Sequence, residues 1–252
     1  MSVVEASWVE EGATLRSRLL EGLGLVAGFT TRALGSMAGS VFPLDEQARN
    51  REALARSLGF AAVVRAKQVH GTAVAFVGGS EGGGARLDPW PVADALVTDR
   101  EGVLLGIAAA DCVPVLVAGR QGPLGAAHAG WEGTSKGVAR ALIAALADAG
   151  ARPAELVASI GPSIGPCCYT IDEQRAAVVR GRGLGDHLLE RDGATVFDLW
   201  SANEAQLRGM GVPTVEIARI CTRCGGRDLW SFRGRGADDR YGTQLAFLGR
   251  RP

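Results

Sequence analysis

The chain has 252 residues, 47% of them hydrophobic and 21% charged, and its 27 basic side chains are balanced by 27 acidic ones. This composition excludes a disordered or fibrous chain, and zero net charge removes the bulk basicity that draws proteins to nucleic acid or anionic membrane. The length suits one large domain or two small ones, and no linker forces a boundary, so one domain spanning 1–252 is expected, with its core at about 28–248.

The opening MSVVEASWVEEG is acidic and lacks a basic segment followed by an apolar one, so no targeting signal is expected. The longest apolar run, residues 103–118, contains Asp111 and Pro114 and falls short of the ~20 residues that span a bilayer. A reducing, cytoplasmic setting is the expectation, with the five cysteines mostly thiols; the odd count leaves one for chemistry. The 36 glycines, spread without period, imply many tight turns.

Asp45 is placed to cap a helix over 46–58 that Gly59 ends. Residues 61–77 read as two β-like runs that break near His70 and Gly71, and the Gly-rich stretch 78–89 reads as a flexible loop inserted within the domain. Three apolar runs follow, ADALVT, VLLGIAAA and VPVLVAG. Each is short, bounded by turn residues and apolar on both parities, the pattern of strands buried on both faces. The strongest helical signal starts near Thr134 or Ser135, where Val138, Ala141, Leu142, Ala145, Leu146 and Ala149 keep i, i+3, i+4 spacing up to Gly150. A strand over ELVASIG leads into the turn-rich PSIGPCCYTI. Helices are expected over EQRAAVV and LWSANEAQLRGM, the latter capped by Asp198, and TVEIARI reads as a late strand. This order of elements predicts a mixed α/β protein.

Three residues sit where an apolar strand meets a break: His70 in KQVHGT, Cys112 in AADCVP directly after Asp111, and His128 in GAAHAGWEGT. Strand ends are where α/β sheets present ligand-binding groups. Two imidazoles and a thiolate suit zinc or copper, and three protein ligands leave a fourth position open, as in catalytic metal sites. The spacings, 42 residues from His70 to Cys112 and 16 from Cys112 to His128, match no short structural-zinc motif. Taken singly, each residue reads better as packing, so the site rests on their joint placement.

Other motifs carry less. His187, in GLGDHLLE, reads as a surface histidine. Cys221 and Cys224 form a C-x-x-C, open between a redox pair, half a zinc site and neither; no second C-x-x-C or H-x₃-H completes a cage. Adjacent Cys167 and Cys168 read as packing, because neighbouring side chains diverge in an extended chain. The Gly-rich turns at 125–133 and 161–165 lack Walker A and dinucleotide spacings, G-x-S-x-G is absent, and the cytidine-deaminase zinc signature is not met.

Taken together and in order, KQVHG, ADALVTD, AADCVPVLVA, GAAHAGWEGT, ASIGPSIGPCCY and DLWSANEAQL resemble the laccase-domain family, also called multicopper polyphenol oxidase-like proteins or purine nucleoside phosphorylases. The resemblance covers roughly residues 28–244, and HAGW with IGPSIGPCCY is its most specific part. It implies a layered α/β (mixed α+β) single domain related to cysteine-dependent toxin deamidases. It implies a metal site, usually zinc, at His70 (from QVHG), Cys112 (from ADC) and His128 (from HAGW). It also implies phosphorolysis of adenosine, inosine and methylthioadenosine to base and ribose 1-phosphate, with adenosine deamination beside it. An older family assignment is copper-dependent phenol oxidation, and some members are linked to peptidoglycan-precursor editing. The sequence departs from the pattern at Glu132, where Arg is usual after HAGW, in GFTTRALGSMAG, which keeps Arg32 but loses a Gly, and in WSFRGRGADDRYGTQ, where Arg233 and Gln244 align around a longer segment.

On this reading the partners are a purine nucleoside and phosphate, with no nucleic acid or membrane, and the protein is a monomer or homodimer. Asp111 is the general acid/base candidate if its carboxyl faces the site. Arg32, Arg51 and Arg233 are the phosphate candidates, because guanidinium forks match phosphate oxygens. Gln68 is placed to read a purine edge. Three alternatives stay open: a Cys112 nucleophile with a histidine base, acting as a hydrolase or amidase on a cell-wall precursor; a copper oxidase, which would want an axial Met that neither Met37 nor Met210 is evidently placed to supply; and a non-catalytic module with a structural metal.

Overall fold

The computed structural model describes residues 8–78, 90–226, 228–237 and 240–252. In chain order the elements are β1 (Trp8–Glu11), β2 (Thr14–Ser17), α1 (Arg18–Glu21), β3 (Val26–Thr30), α2 (Leu44–Leu58), β4 (Val63–Val64), β5 (Val74–Phe76), β6 (Ala95–Thr98), β7 (Leu104–Ala109), β8 (Val113–Ala118), β9 (Leu124–Ala129), α3 (Trp131–Lys136), α4 (Val138–Asp148), β10 (Val157–Ile160), α5 (Glu173–Gly181), β11 (Leu188–Arg191), β12 (Ala194–Phe197), α6 (Leu199–Gly209), β13 (Thr214–Ile217) and β14 (Gln244–Gly249).

Two six-stranded sheets form, one in the order β1-β2-β3-β14-β7-β4 and one in the order β13-β10-β8-β9-β6-β5. Side chains alternate between faces along a strand, and both parities are apolar here, so each sheet must be covered twice. Leu15, Phe29, Leu105, Ile107 and Leu248 of the first sheet meet Leu96, Leu116, Leu124 and Ala126 of the second in a shared core. The opposite parity of the first sheet, with Leu104, Leu245 and Phe247, packs on Leu54, Ala55 and Leu58 of α2. The opposite parity of the second, with Val97, Val115, Val117 and Ala127, packs on Leu142, Ile143, Leu146 and Leu207 of α4 and α6. The result is a mixed α+β fold in four layers, helix, sheet, sheet, helices. Each fully buried Leu, Ile or Phe contributes roughly 1.5–3 kcal/mol. No helix of the described residues is long and apolar enough to cross a membrane.

The three apolar runs become β6, β7 and β8, buried at every position, and α6 is capped by the Asp198 carboxylate, which accepts from the Trp200 and Ser201 amides. Elsewhere the structure corrects the expectation. Helix α2 begins at Leu44 with Pro43 at its cap, so Asp45 lies within the first turn, where its charge suits the positive helix end and pairs with Arg49 at 2.7 Å. The strongest helix already starts at Trp131 and is split into α3 and α4 by Gly137, φ +89°. The two runs within 61–77 shrink to β4 and β5, of two and three residues. The Gly-rich loop expected at 78–89 lies outside the described residues apart from Gly78. Sequence patterning also missed β1, β2 and β14, although β14 sits centrally between β3 and β7.

Candidate active site

Two of the crossings between the facing sheets at one end of the sandwich carry triad residues. From β7 to β8 the chain passes through Ala110, Asp111 and Cys112 alone; from β4 to β5 it passes through the segment carrying Gln68, Val69 and His70. His128, on β9 opposite Pro114 of β8, has the parity of Leu124 and Ala126 and so points toward the first sheet. Both crossovers are bent sharply, with His70 at φ +60° and Asp111 at φ +84°. Such backbone costs on the order of 1–3 kcal/mol per residue and persists only where surrounding bonds enforce it.

Those bonds come from two carboxylates. Asp94, with a side chain shut off from solvent, accepts the amides of Val69, His70 and Gly71, the last at 2.7 Å, and the Nδ1 of His128 at 2.9 Å. Asp111 accepts the Thr222 hydroxyl at 2.6 Å and the Arg233 amide at 2.6 Å. His70 and His128 meet edge-on with centroids 4.8 Å apart, and the Cys112 sulfur lies 4.0 Å from His70 Nε2. One ligand atom from each of the three lies within 4.8 Å of the others. Gly130 permits this: a Cβ there would sit 3.0 Å from Cys112 Sγ and 3.0 Å from His70 Cδ2.

The electrostatics reinforce the cluster. Burial opposes ionisation of Cys112, yet the charge and hydrogen bond of His128, aided by His70, bring the thiol down to about 6. Burial opposes protonation of His128 too, but Cys112 and Asp94 raise it to about 9. Asp94 is held at about 2, against its burial, by His128 and the Gly71 and Val69 amides. The Cys112 thiol and the His128 imidazole thus each favour the other's charged form. With Nδ1 tied to Asp94, Nε2 is the nitrogen of His128 left for a ligand role.

The triad opens into a cavity of about 990 Å³. Its wall carries Arg65, Lys67, Arg175 and Arg233 against Asp111 and Glu132, an excess of positive charge. Trp90, Trp131, Tyr169, Phe232 and Tyr241 add aromatic surface. Arg65 is buried and stacks on Trp90 at 4.6 Å; burial, and then the neighbouring charge of Arg51, lower it to about 9. Its Nε has no hydrogen-bond partner, and no carboxylate among the described residues pairs with it.

Of the residues expected to bind substrate, Arg233 lines the cavity, stacked over Tyr169 at 4.8 Å. Gln68 also lines it, but its amide is committed to the β7 backbone, donating to the Ala108 carbonyl at 2.8 Å and accepting the Ala108 amide at 2.9 Å. Arg32 is not in this wall: it packs over Trp230 at 4.2 Å, in an adjoining groove. Arg51 is not among the residues lining the cavity; it stacks over Trp90 at 5.3 Å and donates to the Met37 carbonyl at 2.6 Å. His187 is half-buried and bonded to Ser201 at 2.8 Å rather than free on the surface. Met37 lies in the α2 core and Met210 just beyond α6, neither of them in the cavity wall.

Sequence reading missed Asp94, Arg65, Lys67 and Arg175. Asp94 carried a signal: a lone carboxylate opening the apolar run ADALVT must be partnered once buried. It also missed that Cys167, Cys168, Cys221 and Cys224 gather into one cluster.

Comparison with known proteins shows the family and the fold. A family model described as multi-copper polyphenol oxidoreductase laccase matches residues 28–251. A purine nucleoside phosphorylase of Deinococcus radiodurans is 40% identical over 223 residues, 84% of each chain. An adenosine deaminase, RL5, from an unknown prokaryotic organism is 36% identical over 150 residues, 57% of this chain and 57% of that one. The crystal structure of YlmD from Geobacillus stearothermophilus superposes with a TM-score of 0.84 at 32% identity, covering 98% of this chain and all of that one. The chain belongs to the multi-copper polyphenol oxidoreductase laccase family.

Proposed function

We propose that this protein is a zinc-dependent purine nucleoside phosphorylase that takes adenosine, inosine and methylthioadenosine and deaminates adenosine as a second activity. The observation that carries the proposal is the His70, Cys112 and His128 cluster opening into a cavity with four cationic side chains and aromatic walls. The relatives named as phosphorylases and as an adenosine deaminase support it.

The donor set fits zinc: two imidazole nitrogens and one thiolate, oriented by a carboxylate behind His128, with Gly130 giving them room to close. When bound, zinc supplies a Lewis acid that polarises a substrate oxygen or water. The chain's own residues do the rest. Arg65 and Lys67 on one wall, and Arg175 and Arg233 on the other elements, bind and orient phosphate. Trp90, Tyr169 and Phe232 offer faces to the purine and exclude water. As a phosphate oxygen bonds to C1′ and the C1′–N9 bond breaks, the departing base takes up a proton drawn from solvent, and Asp111, its carboxylate fixed by the Thr222 hydroxyl and the Arg233 amide, is the group we assign to relaying it.

The test is base release from adenosine with and without phosphate, on protein of measured metal content. Phosphate-dependent adenine and ribose 1-phosphate are expected, with inosine formed independently of phosphate. No phosphate-dependent base release from any of the three nucleosides would overturn the reading.

One observation favours a second reading. A thiol lowered to about 6 beside a histidine raised to about 9 is also the pair of a cysteine hydrolase. Activity that survives metal removal and is abolished by iodoacetamide would establish it.

A further inference from the structure

We propose that Cys167, Cys168, Cys221 and Cys224 form a second metal site, a tetrathiolate that holds a structural cation of the zinc class and braces the wall of the active site. One sulfur from each lies within 4.8 Å of the other three. A tetrahedral Zn–S₄ centre with bonds of about 2.3 Å needs sulfurs about 3.8 Å apart, so closure asks only for small rotamer changes. None of the four is in a disulfide; Cys167 and Cys224 have their sulfurs 3.3 Å apart.

The backbone is shaped for this. In ICTRCGG the chain doubles back so that the Gly225 amide donates to the Cys221 carbonyl at 2.8 Å, and a Cβ at 225 would lie 2.5 Å from that oxygen. The amides of Gly165, Arg223 and Cys224 converge on the buried Cys221 sulfur, donors that a metal-bound thiolate accepts. Cys167 and Cys168 lie not in extended chain but in a tight turn, where both the Cys168 and Tyr169 amides reach the Gly165 carbonyl. Side chains of adjacent residues can converge there, which removes the reason for reading them as packing. Four thiolates this close repel one another, and a divalent cation among them offsets that repulsion.

The position of the cluster gives it a purpose. It ties the 161–169 turn to the 220–226 turn, which otherwise share two backbone hydrogen bonds, Ser163 to Ile220 and Thr222 to Ser163. Thr222, inside the C-x-x-C, holds the Asp111 carboxylate, and the Ile164 amide holds the Asp111 carbonyl. Both turns therefore fix the strained crossover that carries Cys112, and Tyr169 follows directly into the cavity wall.

The decisive experiment counts metal in the full chain purified under reducing conditions, with Zn²⁺ and then Co²⁺ as probes. Wild type is expected to hold two equivalents and Cys112→Ala one, the latter giving an intense sulfur-to-cobalt charge-transfer band when loaded with Co²⁺. Cys224→Ser is expected to lose that second equivalent. If Cys224→Ser fails to fold, the Cys112→Ala protein still decides. A Cys112→Ala protein that binds no metal, or peptide mapping that finds a Cys167–Cys224 disulfide in the freshly purified chain, overturns the proposal. Neither result depends on turnover, so neither bears on the phosphorylase reading.

Discussion

The Asp94 carboxylate holds the His128 imidazole at 2.9 Å while the same group collects three backbone amides around His70. One buried side chain thus orients two of the three triad members, from two different chain segments. Replacing it by Ala frees His128 to rotate and releases the strained backbone at His70. Metal affinity in Asp94→Ala should fall about 10- to 100-fold, as for other carboxylates behind a ligating histidine. Competition against a chelator of known affinity measures this, and an unchanged constant would refute the role.

Gly130 is the second test of the triad. An Ala there pushes its Cβ against both Cys112 Sγ and His70 Cδ2 at 3.0 Å, tighter than ordinary contact. Gly130→Ala should lose the triad's metal while keeping the circular dichroism spectrum of the wild type. Full metal retention would mean that the two side chains can move apart without cost.

Arg65 is a buried guanidinium with an unpartnered Nε in the wall of the cavity. An unpaired buried charge is costly, and a bound anion offsets that cost. Arg65→Met should therefore raise the KM for phosphate about tenfold or more without lowering thermal stability, and phosphate should stabilise wild type more than the variant. A variant that melts earlier and keeps its phosphate KM would show that the arginine serves packing alone.

Glu216 gives a pH prediction remote from the site. It is buried on β13 beside Ser159 of β10, accepts the Ser17 and Ser159 hydroxyls through Oε1, and leaves Oε2 without a partner. Burial raises its carboxyl above the usual value of 4.5, against those hydrogen bonds. An acid raised in the folded state stabilises fully below its unfolded pKa, and that contribution is lost as pH climbs through the folded value. Relative to Glu216→Gln, wild type should lose stability as pH rises from about 4 toward neutrality. Urea midpoints across that range check the sign; a wild type that gains stability relative to Glu216→Gln as pH rises would contradict it.

Much of the scaffold was written locally. The apolar parities of 95–98, 104–109 and 113–118 announced strands covered on both sides, and Asp198 announced the start of α6. The strands at 8–17 were not legible because WVEE and TLRS are four residues each and show no apolar run, and β14 was not because it pairs with β3 and β7, more than 130 residues earlier. Gln68 misled for a related reason. A polar side chain near a suspected ligand looks free in a sequence, but here the β7 backbone had already claimed both ends of its amide.

By itself the sequence determined that His70, Cys112 and His128 stand at breaks in apolar segments, since hydrophobic runs and their interruptions are local properties of the chain. Only the tertiary structure decided what surrounds them. Asp94 behind His128, Arg65 beneath Trp90 and the meeting of Cys167 and Cys168 with Cys221 and Cys224 all join residues far apart in sequence. Such contacts exist only once strands distant in the chain have paired, β6 with β9 beside Asp94 and His128, and β10 with β13 leading into the four cysteines, because that pairing brings the groups within bonding distance and buries them.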